Sequence, residues 1–286
     1  MLREIRDLGF AYAELSHGIR ISLLPGIFEA VDAGEIKISS LHNYCPLPIG
    51  INFAAPNIFK FSSPDPRERE NAYRHTLKTF DTAARLQAQA VVLHLGSIDM
   101  KDYTEKLIDL CKSAQRYSNK YLKLAQQMEE KRAAKKEYYV ELACDMLGRL
   151  VPEAEARGLK LGVENREALE EIPLEGDFQF LLKKFPSPAV GYWHDTGHAQ
   201  IKENLGFIQH ALHLEAMAGR LLGFHLHDVQ MPARDHCPPG SGVVNFAALK
   251  PFVRPEHLKI FELSPRVAPE DAARGVAHLK SIWGDE

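Results

Sequence analysis

Short apolar runs alternate with longer amphipathic segments from one end of this chain to the other. Several segments repeat apolar residues with a helical period, among them Leu2–Leu8, Pro66–Leu86, Leu205–Arg220 and Pro269–Trp283. Alternating strands and helices favour parallel strands joined by helical crossovers. Seven apolar runs have the length of buried strands: Ala11–Leu15, Lys37–His42, Ala90–Gly96, Leu159–Asn165, Val190–Asp195, Leu221–Asp228 and Leu258–Leu263.

The order of these elements fits either a closed α/β barrel or an open doubly wound sheet. No Gly-rich phosphate loop follows the first predicted strand, which weakens the open-sheet interpretation. A TIM-type (β/α)-barrel is therefore the expected fold. Because a closed barrel needs eight strands and the chain opens with helix Leu2–Leu8, we expect the first strand to be missing. Either the start site is placed late or the barrel has a gap there.

Lys101–Arg157 is much longer than an ordinary crossover and is rich in Lys, Glu, Gln and Ala. It predicts a helical insertion of two long helices that break near Lys131–Lys136. The many charges favour a solvated helical hairpin or a contact in a homo-oligomer. A nucleic-acid arm is disfavoured because acidic residues bracket the basic run KRAAKK.

Length and composition limit the classes of protein to consider. The chain has 286 residues, of which 45% are hydrophobic, and no linker composition, so we expect a single domain over 1–286. The formal net charge of −3 makes a nucleic-acid partner unlikely on composition. No apolar run of membrane-spanning length or signal-peptide core occurs, which predicts a cytoplasmic protein without a membrane partner. The four cysteines are scattered, so reduced thiols are expected, although one disulfide stays open.

Chemistry-bearing residues recur where the predicted strands end. A parallel barrel gathers the carboxyl ends of its strands on one face, where barrel enzymes keep their sites. Six of the seven predicted strands carry an Asp, Glu or His near this end, namely His42, His94, Glu164, Asp195, His225 and Glu262.

The last four of these residues make a mixed oxygen and nitrogen donor set. Such a set suits one divalent metal ion, Mn²⁺, Mg²⁺, Co²⁺ or Zn²⁺. Three carboxylates converging without a cation would repel one another, so a metal relieves the repulsion. Simpler roles stay open: Asp195 as a helix cap, His225 as a core residue, and each glutamate in a salt bridge with Arg166 or Arg266.

Weaker signals surround this set. Gly197 and His198 lie in the motif DTGH, where the glycine is expected to permit a tight turn from strand to helix. His227 shares a strand face with His225. Arg234 and His236 lie on a Pro/Gly-rich loop, where the arginine is either an anion or hydroxyl clamp or a surface residue.

The motifs VENRE, WHDTGH, FHLHDVQ, DHCPPGSG and IFELS, in this order, resemble the xylose isomerase-like TIM barrel superfamily over nearly the whole chain. That group contains sugar and sugar-phosphate isomerases and epimerases, dehydratases and endonuclease IV. The resemblance implies that Glu164, Asp195, His225 and Glu262 hold one metal. It also implies that the two glutamates act as acid and base on opposite faces of the substrate, and that His198 contacts substrate oxygens.

Endonuclease IV uses additional ligands for a three-metal cluster. His42, His94, His198 and His236 resemble four of them, so a second ion stays open, or these residues bind substrate. Arg234 stands where that branch has an aspartate, and an arginine would repel a third metal.

The expected function is therefore a metal-dependent isomerase or epimerase of carbohydrate metabolism. The substrate would be a small sugar, sugar phosphate or polyhydroxy-ketone that reacts through a metal-bound enediolate. Two alternatives stay open, which are an endonuclease IV-like phosphodiesterase acting on abasic DNA and a non-catalytic sugar-binding barrel.

Overall fold

The computed structural model describes residues 2–284. The strands are β1 (Tyr12–Leu15), β2 (Lys37–His42), β3 (Ala90–Leu93), β4 (Lys160–Glu164), β5 (Val190–Asp195), β6 (Leu221–Leu226), β7 (Asp228–Gln230), β8 (Arg234–Cys237) and β9 (Leu258–Phe261). All seven predicted strands form, and they are hydrogen-bonded in one sheet in the order β1-β2-β3-β4-β5-β6-β9. Another two strands, β7 and β8, pair antiparallel.

Helices follow most of the strands, as the alternating pattern predicts. None of the described helices is long and apolar enough to cross a bilayer. The α-helices are α1 (Leu2–Asp7), α2 (Leu24–Asp32), α3 (Pro66–Arg85), α4 (Thr104–Lys112), α5 (Asn119–Ala133), α6 (Lys136–Glu155), α7 (Glu175–Lys184), α8 (Thr196–Leu205), α9 (His210–Met217), α10 (Phe246–Leu249) and α11 (Pro269–Trp283).

Two helical predictions need correction. The predicted helix Leu205–Arg220 starts only at His210, because Gly206 adopts a left-handed conformation with φ of 86° and ends α8. The insertion holds three helices instead of two, although the break between α5 and α6 falls where the sequence predicts it. It is also not a purely solvated hairpin, since Leu147 and Leu150 of α6 are fully buried.

The chain divides into two compact units. The first comprises the N-terminal segment through Gly96, Val140–Glu164 and Leu181–Gly191. Its strands β1 to β4 are parallel neighbours, and every residue of β3 is inaccessible to solvent. Since parallel strands present their carboxyl ends on the same edge, this register brings the ends of β2, β3 and β4 together.

The second unit comprises Ser97–Tyr139, Asn165–Phe180 and the chain from Tyr192 onward. Here Asp195 of β5 lies beside His225 of β6, and His225 lies beside Ile260 of β9. The fully buried rings of Trp193 and Phe224 form the core beneath these strand ends. The packing of these rings therefore fixes the position of each strand end and of the polar residue that lies there.

Candidate active site

The first unit brings together three of the predicted site residues, His42, His94 and Glu164. Nε2 of His94 lies 2.7 Å from Oε2 of Glu164 and 3.1 Å from Nε2 of His42. Nε2 of His42 is 3.5 Å from the same carboxylate oxygen. All three side chains are buried, with Glu164 only 1% exposed. We call these residues the two-histidine cluster.

Hydrogen bonds on the far sides of both rings orient this cluster. Nδ1 of His42 lies 2.8 Å from the backbone carbonyl oxygen of Asn43, and Nδ1 of His94 lies 2.9 Å from Oδ1 of Asn57. Because these oxygens can only accept hydrogen bonds, each Nδ1 is the donor. A neutral imidazole with its proton on Nδ1 has a lone pair on Nε2. Two lone pairs and a carboxylate oxygen therefore converge, an arrangement that suits a cation.

The second unit places Asp195, His225 and Glu262 side by side. Nδ1 of His225 is 3.0 Å from Oε2 of Glu262 and 3.9 Å from Oδ2 of Asp195. Asp195 also caps α8, because its Oδ1 accepts from the backbone N–H of His198 at 2.7 Å. The helix-cap role that the sequence left open is thus real, but the second oxygen of this carboxylate still faces the histidines.

Three of the four residues expected to hold the metal offer converging ligand atoms within the second unit. One atom from each of Asp195, His225 and Glu262 lies within 4.8 Å of the other two. Glu164 of the first unit completes the ligand set that the resemblance implies, and we call these four residues the four-residue cluster. Its chemistry is three carboxylates and one imidazole, a donor set that fits a hard or borderline divalent ion.

His227 lies next to this cluster without being one of its members. Its fully buried ring donates from Nε2 to Asp195 at 3.0 Å, and its Nδ1 accepts from the backbone N–H of His236 at 2.9 Å. A Cβ on Gly197 would approach Cε1 of His227 to 2.0 Å. The glycine of DTGH is therefore required by the close approach of an imidazole. The turn does not need it, because its φ is not left-handed.

His236 stacks on His227 with ring centroids 4.3 Å apart and an interplanar angle of 7°. Its Nδ1 is 3.1 Å from Asp235, and its Nε2 is 3.9 Å from Glu262. Burial lowers the pKa of the His236 imidazole, but the hydrogen bond and charge of Asp235 outweigh burial and raise this pKa to about 9. Asp235 therefore favours the protonated form of His236, whose Nε2 lies beside Glu262.

The carboxylate of Asp228, which the sequence pattern did not single out, organises the loop that follows β8, the strand that carries His236. It accepts four backbone N–H groups at 2.8–2.9 Å, those of Val229, Gly240, Gly242 and Val244. A Cβ on Gly242 would lie 2.2 Å from the carbonyl oxygen of Val229, so this loop needs a glycine there. The only sequence signal was an Asp directly after FHLH.

A third group of ligand-type residues surrounds His198. One atom each of Glu167, His198 and Asp235 lies within 4.8 Å of the other two. Nδ1 of His198 is 3.0 Å from the carbonyl oxygen of Asn165. Burial raises the pKa of the Glu167 carboxyl, the charge of His198 lowers it and that of Asp235 raises it, for a net increase. Glu167 was missed because it lies beyond the end of β4, and Asp235 was missed because it lies in β8, a short strand for which the sequence pattern predicted a loop.

Arg234, the predicted anion or hydroxyl clamp, is exposed at the start of β8. Its guanidinium lies 3.4 Å from the amide oxygen of Gln230. Arg166 pairs with Glu171 at 3.1 Å. Whether Arg234 contacts substrate stays a prediction.

Three solved structures illustrate the fold similarity. A D-tagatose 3-epimerase-like protein is 19% identical over 96% of this chain and 88% of its own, with a TM-score of 0.66. D-psicose 3-epimerase, crystallised in the presence of D-fructose, is 15% identical over 99% and 92%, with a TM-score of 0.66. The TTHB071 protein from Thermus thermophilus, soaked with ZnCl₂, is 21% identical over 99% and 92%, with a TM-score of 0.59.

At these identities the similarity shows the fold alone. A search of curated proteins gave no match. The family model described as xylose isomerase-like TIM barrel matches residues 2–282. This chain therefore belongs to the xylose isomerase-like TIM barrel family, as its strand-end motifs predict.

Proposed function

We propose that this protein is a divalent-metal-dependent epimerase or isomerase of a small sugar or polyhydroxy-ketone. The observation that carries the proposal is the convergence of ligand atoms of Asp195, His225 and Glu262 within 4.8 Å of one another in the second unit. The proposal adds Glu164 of the first unit as the fourth ligand. The sugar epimerases among the structures of similar fold support the substrate class. The ZnCl₂-soaked relative is compatible with metal binding in this fold.

The four-residue cluster would hold the ion, which when bound would polarise the carbonyl and hydroxyl oxygens of a substrate. The two glutamates have a second role in the proposal. One removes the proton from the carbon next to the carbonyl, and the other returns a proton to the opposite face. Their surroundings suit different tasks, because the side chain of Glu164 is 1% exposed and that of Glu262 is 27% exposed.

Neighbouring residues would position the substrate. His236, whose Nδ1 is held by Asp235 and whose Nε2 lies 3.9 Å from Glu262, can donate from Nε2 to a substrate oxygen that gains negative charge. His198 presents a ring whose Nδ1 faces the Asn165 carbonyl, so Nε2 is directed elsewhere and can bind a hydroxyl group. His42 and His94 can bind another hydroxyl group or a second ion.

The test is turnover of free ketohexoses in deuterium oxide, with and without added Mn²⁺. We expect epimerised or isomerised product that carries deuterium at the carbon that lost its proton, seen by NMR and chiral chromatography. Glu164→Gln and Glu262→Gln should each lower kcat by about 10²-fold or more, while Glu215→Gln on the exposed surface of α9 should match the wild type. Substantial turnover by either active-site variant would refute the acid–base assignment.

A second candidate function is phosphodiester cleavage at abasic DNA. The observation that favours it is the two-histidine cluster around Glu164, which could hold an additional ion. Incubation of the metal-loaded protein with a duplex that contains one abasic site separates the two candidates. Strand cleavage that is lost in His94→Gln, without sugar turnover, would favour the nuclease.

A further inference from the structure

A cavity of about 670 Å³ lies beside the His198 group, inside the second unit. This volume is within the range of small-molecule sites. Asp235 and Glu167 line it, and both lie within 4.8 Å of His198 by one ligand atom. Nδ1 of His198 is in turn 3.5 Å from Oδ2 of Asp195. The cavity is thus the space next to the proposed reaction site that the rest of a substrate can occupy.

Negative charge dominates the lining of this cavity. Two cations also line it: Lys112, which pairs with Asp109 at 3.3 Å, and Arg234, which contacts the neutral amide oxygen of Gln230 at 3.4 Å. Five carboxylates line the same space: Asp102, Glu105, Glu167, Glu170 and Asp235. An anionic group entering the cavity would therefore meet more repulsion than attraction.

The helix N-terminus that opens into the cavity is also closed to anions. Phosphate groups commonly bind the free N–H groups at the start of a helix. At the start of α4, however, Glu170 accepts from the backbone N–H groups of Tyr103 and Thr104 at 2.7 and 3.2 Å. Asp102 accepts from the N–H of Glu105 at 2.9 Å. Two carboxylates of the protein thus occupy the place that a phosphate would take.

From this lining we infer that the substrate is uncharged at the end that enters the cavity. It is a free, hydroxyl-rich sugar, and neither a sugar phosphate nor a sugar acid. Carboxylate oxygens accept hydrogen bonds, and sugar hydroxyl groups donate them. The inference rests on the proposed function and narrows its substrate class.

The direct test compares each of two sugars, D-fructose and D-tagatose, with its 6-phosphate. We expect kcat/KM to be about tenfold or more higher for the free sugars. A phosphate ester that is turned over equally well or better overturns the inference and leaves the proposed function standing. If none of the four is turned over, the proposed function fails. In that case calorimetric binding of the same four compounds tests the inference. Tighter binding of a free sugar than of its 6-phosphate supports it, whereas tighter binding of the ester, or no binding of any of the four, overturns it.

A charge reversal localises the effect. Glu105 is exposed, lines the cavity and lies outside the proposed catalytic residues. Glu105→Lys should raise the ratio of kcat/KM for the phosphate ester to kcat/KM for the free sugar by a factor of about two to five. Glu215→Lys, on the exposed surface of α9, should leave that ratio as in the wild type. An unchanged ratio in Glu105→Lys would overturn this placement of the substrate.

Discussion

Replacing Gly197 by alanine tests how closely the site is packed. An added Cβ would lie 2.0 Å from Cε1 and 2.4 Å from Nδ1 of His227, whereas ordinary contact begins at 3.4 Å. The ring cannot simply rotate away, because Asp195 holds one nitrogen at 3.0 Å and the His236 amide holds the other at 2.9 Å. Gly197→Ala must therefore break at least one of these hydrogen bonds.

The magnitude follows from what that break leaves behind. A buried group that loses its partner costs about 1–3 kcal/mol, and a charged one costs more, so we expect the free energy of unfolding to fall by about 2 kcal/mol. Because Asp195 is a proposed ligand and His227 orients it, affinity for a divalent ion should fall about 10- to 100-fold. Helix propensity alone predicts the opposite sign, since Gly→Ala within a helix stabilises by about 0.5–1 kcal/mol.

Urea denaturation and calorimetric titration with Mn²⁺ measure the two effects. Gly219→Ala is the matched control, because a Cβ at Gly219 has no heavy atom within 4 Å. If Gly197→Ala is as stable as the wild type and binds Mn²⁺ as tightly, the reasoning from His227 is wrong.

Three further predictions concern the titration of a buried histidine, the order of a loop and the dependence on metal. Burial lowers the pKa of His213 from 6.5 to about 4, so the unfolded chain binds the extra proton and stability falls as the pH drops from 6.5 toward 4. Between pH 7.5 and 5 the free energy of unfolding, measured by urea denaturation, should fall by about 2 kcal/mol more in the wild type than in His213→Gln. Equal decreases in the two proteins would contradict this. Asp228→Asn should destabilise the protein by about 1–3 kcal/mol and speed amide exchange at Gly240 and Gly242, whereas unchanged exchange would mean that Asp228 does not hold the loop. Dialysis against EDTA should abolish turnover and Mn²⁺ should restore it, while full activity in EDTA would exclude the metal dependence.

The periodicity of apolar residues was sufficient to predict the strands. β2 and β5 have the predicted bounds, and β3 ends at Leu93 where the prediction ran to Gly96. The strand ends were predictable because a strand that is buried on both faces of the sheet consists of consecutive aliphatic residues, such as AVVL. The first polar residue after such a run marks the carboxyl end of the strand. This logic placed Glu164, Asp195 and Glu262 on the predicted strand ends.

The surroundings of those residues were not predictable in the same way. Glu167 reaches His198 from a loop and Asp235 reaches it from the short strand β8. The conformation of such connecting segments depends on tertiary contacts, such as the four N–H groups whose hydrogen bonds Asp228 accepts. The role of Gly197 likewise depends on where the His227 ring lies, which is a contact across 30 residues of sequence that no local pattern encodes.

The insertion shows the limit of composition as a guide. α6 carries many charged residues, which favoured a solvated helix, yet Cys144 and Leu147 are buried on one of its faces. The charges occupy the other positions of the helix. The average polarity of a segment therefore does not reveal whether one face of its helix is apolar and buried.

The most direct measurement is anomalous diffraction at the zinc edge from crystals soaked in ZnCl₂. Metal binding by the four-residue cluster predicts a peak about 2.0–2.2 Å from ligand atoms of Glu164, Asp195, His225 and Glu262. No peak there, or a peak only at the two-histidine cluster, would contradict the proposed metal centre and the enzyme built on it.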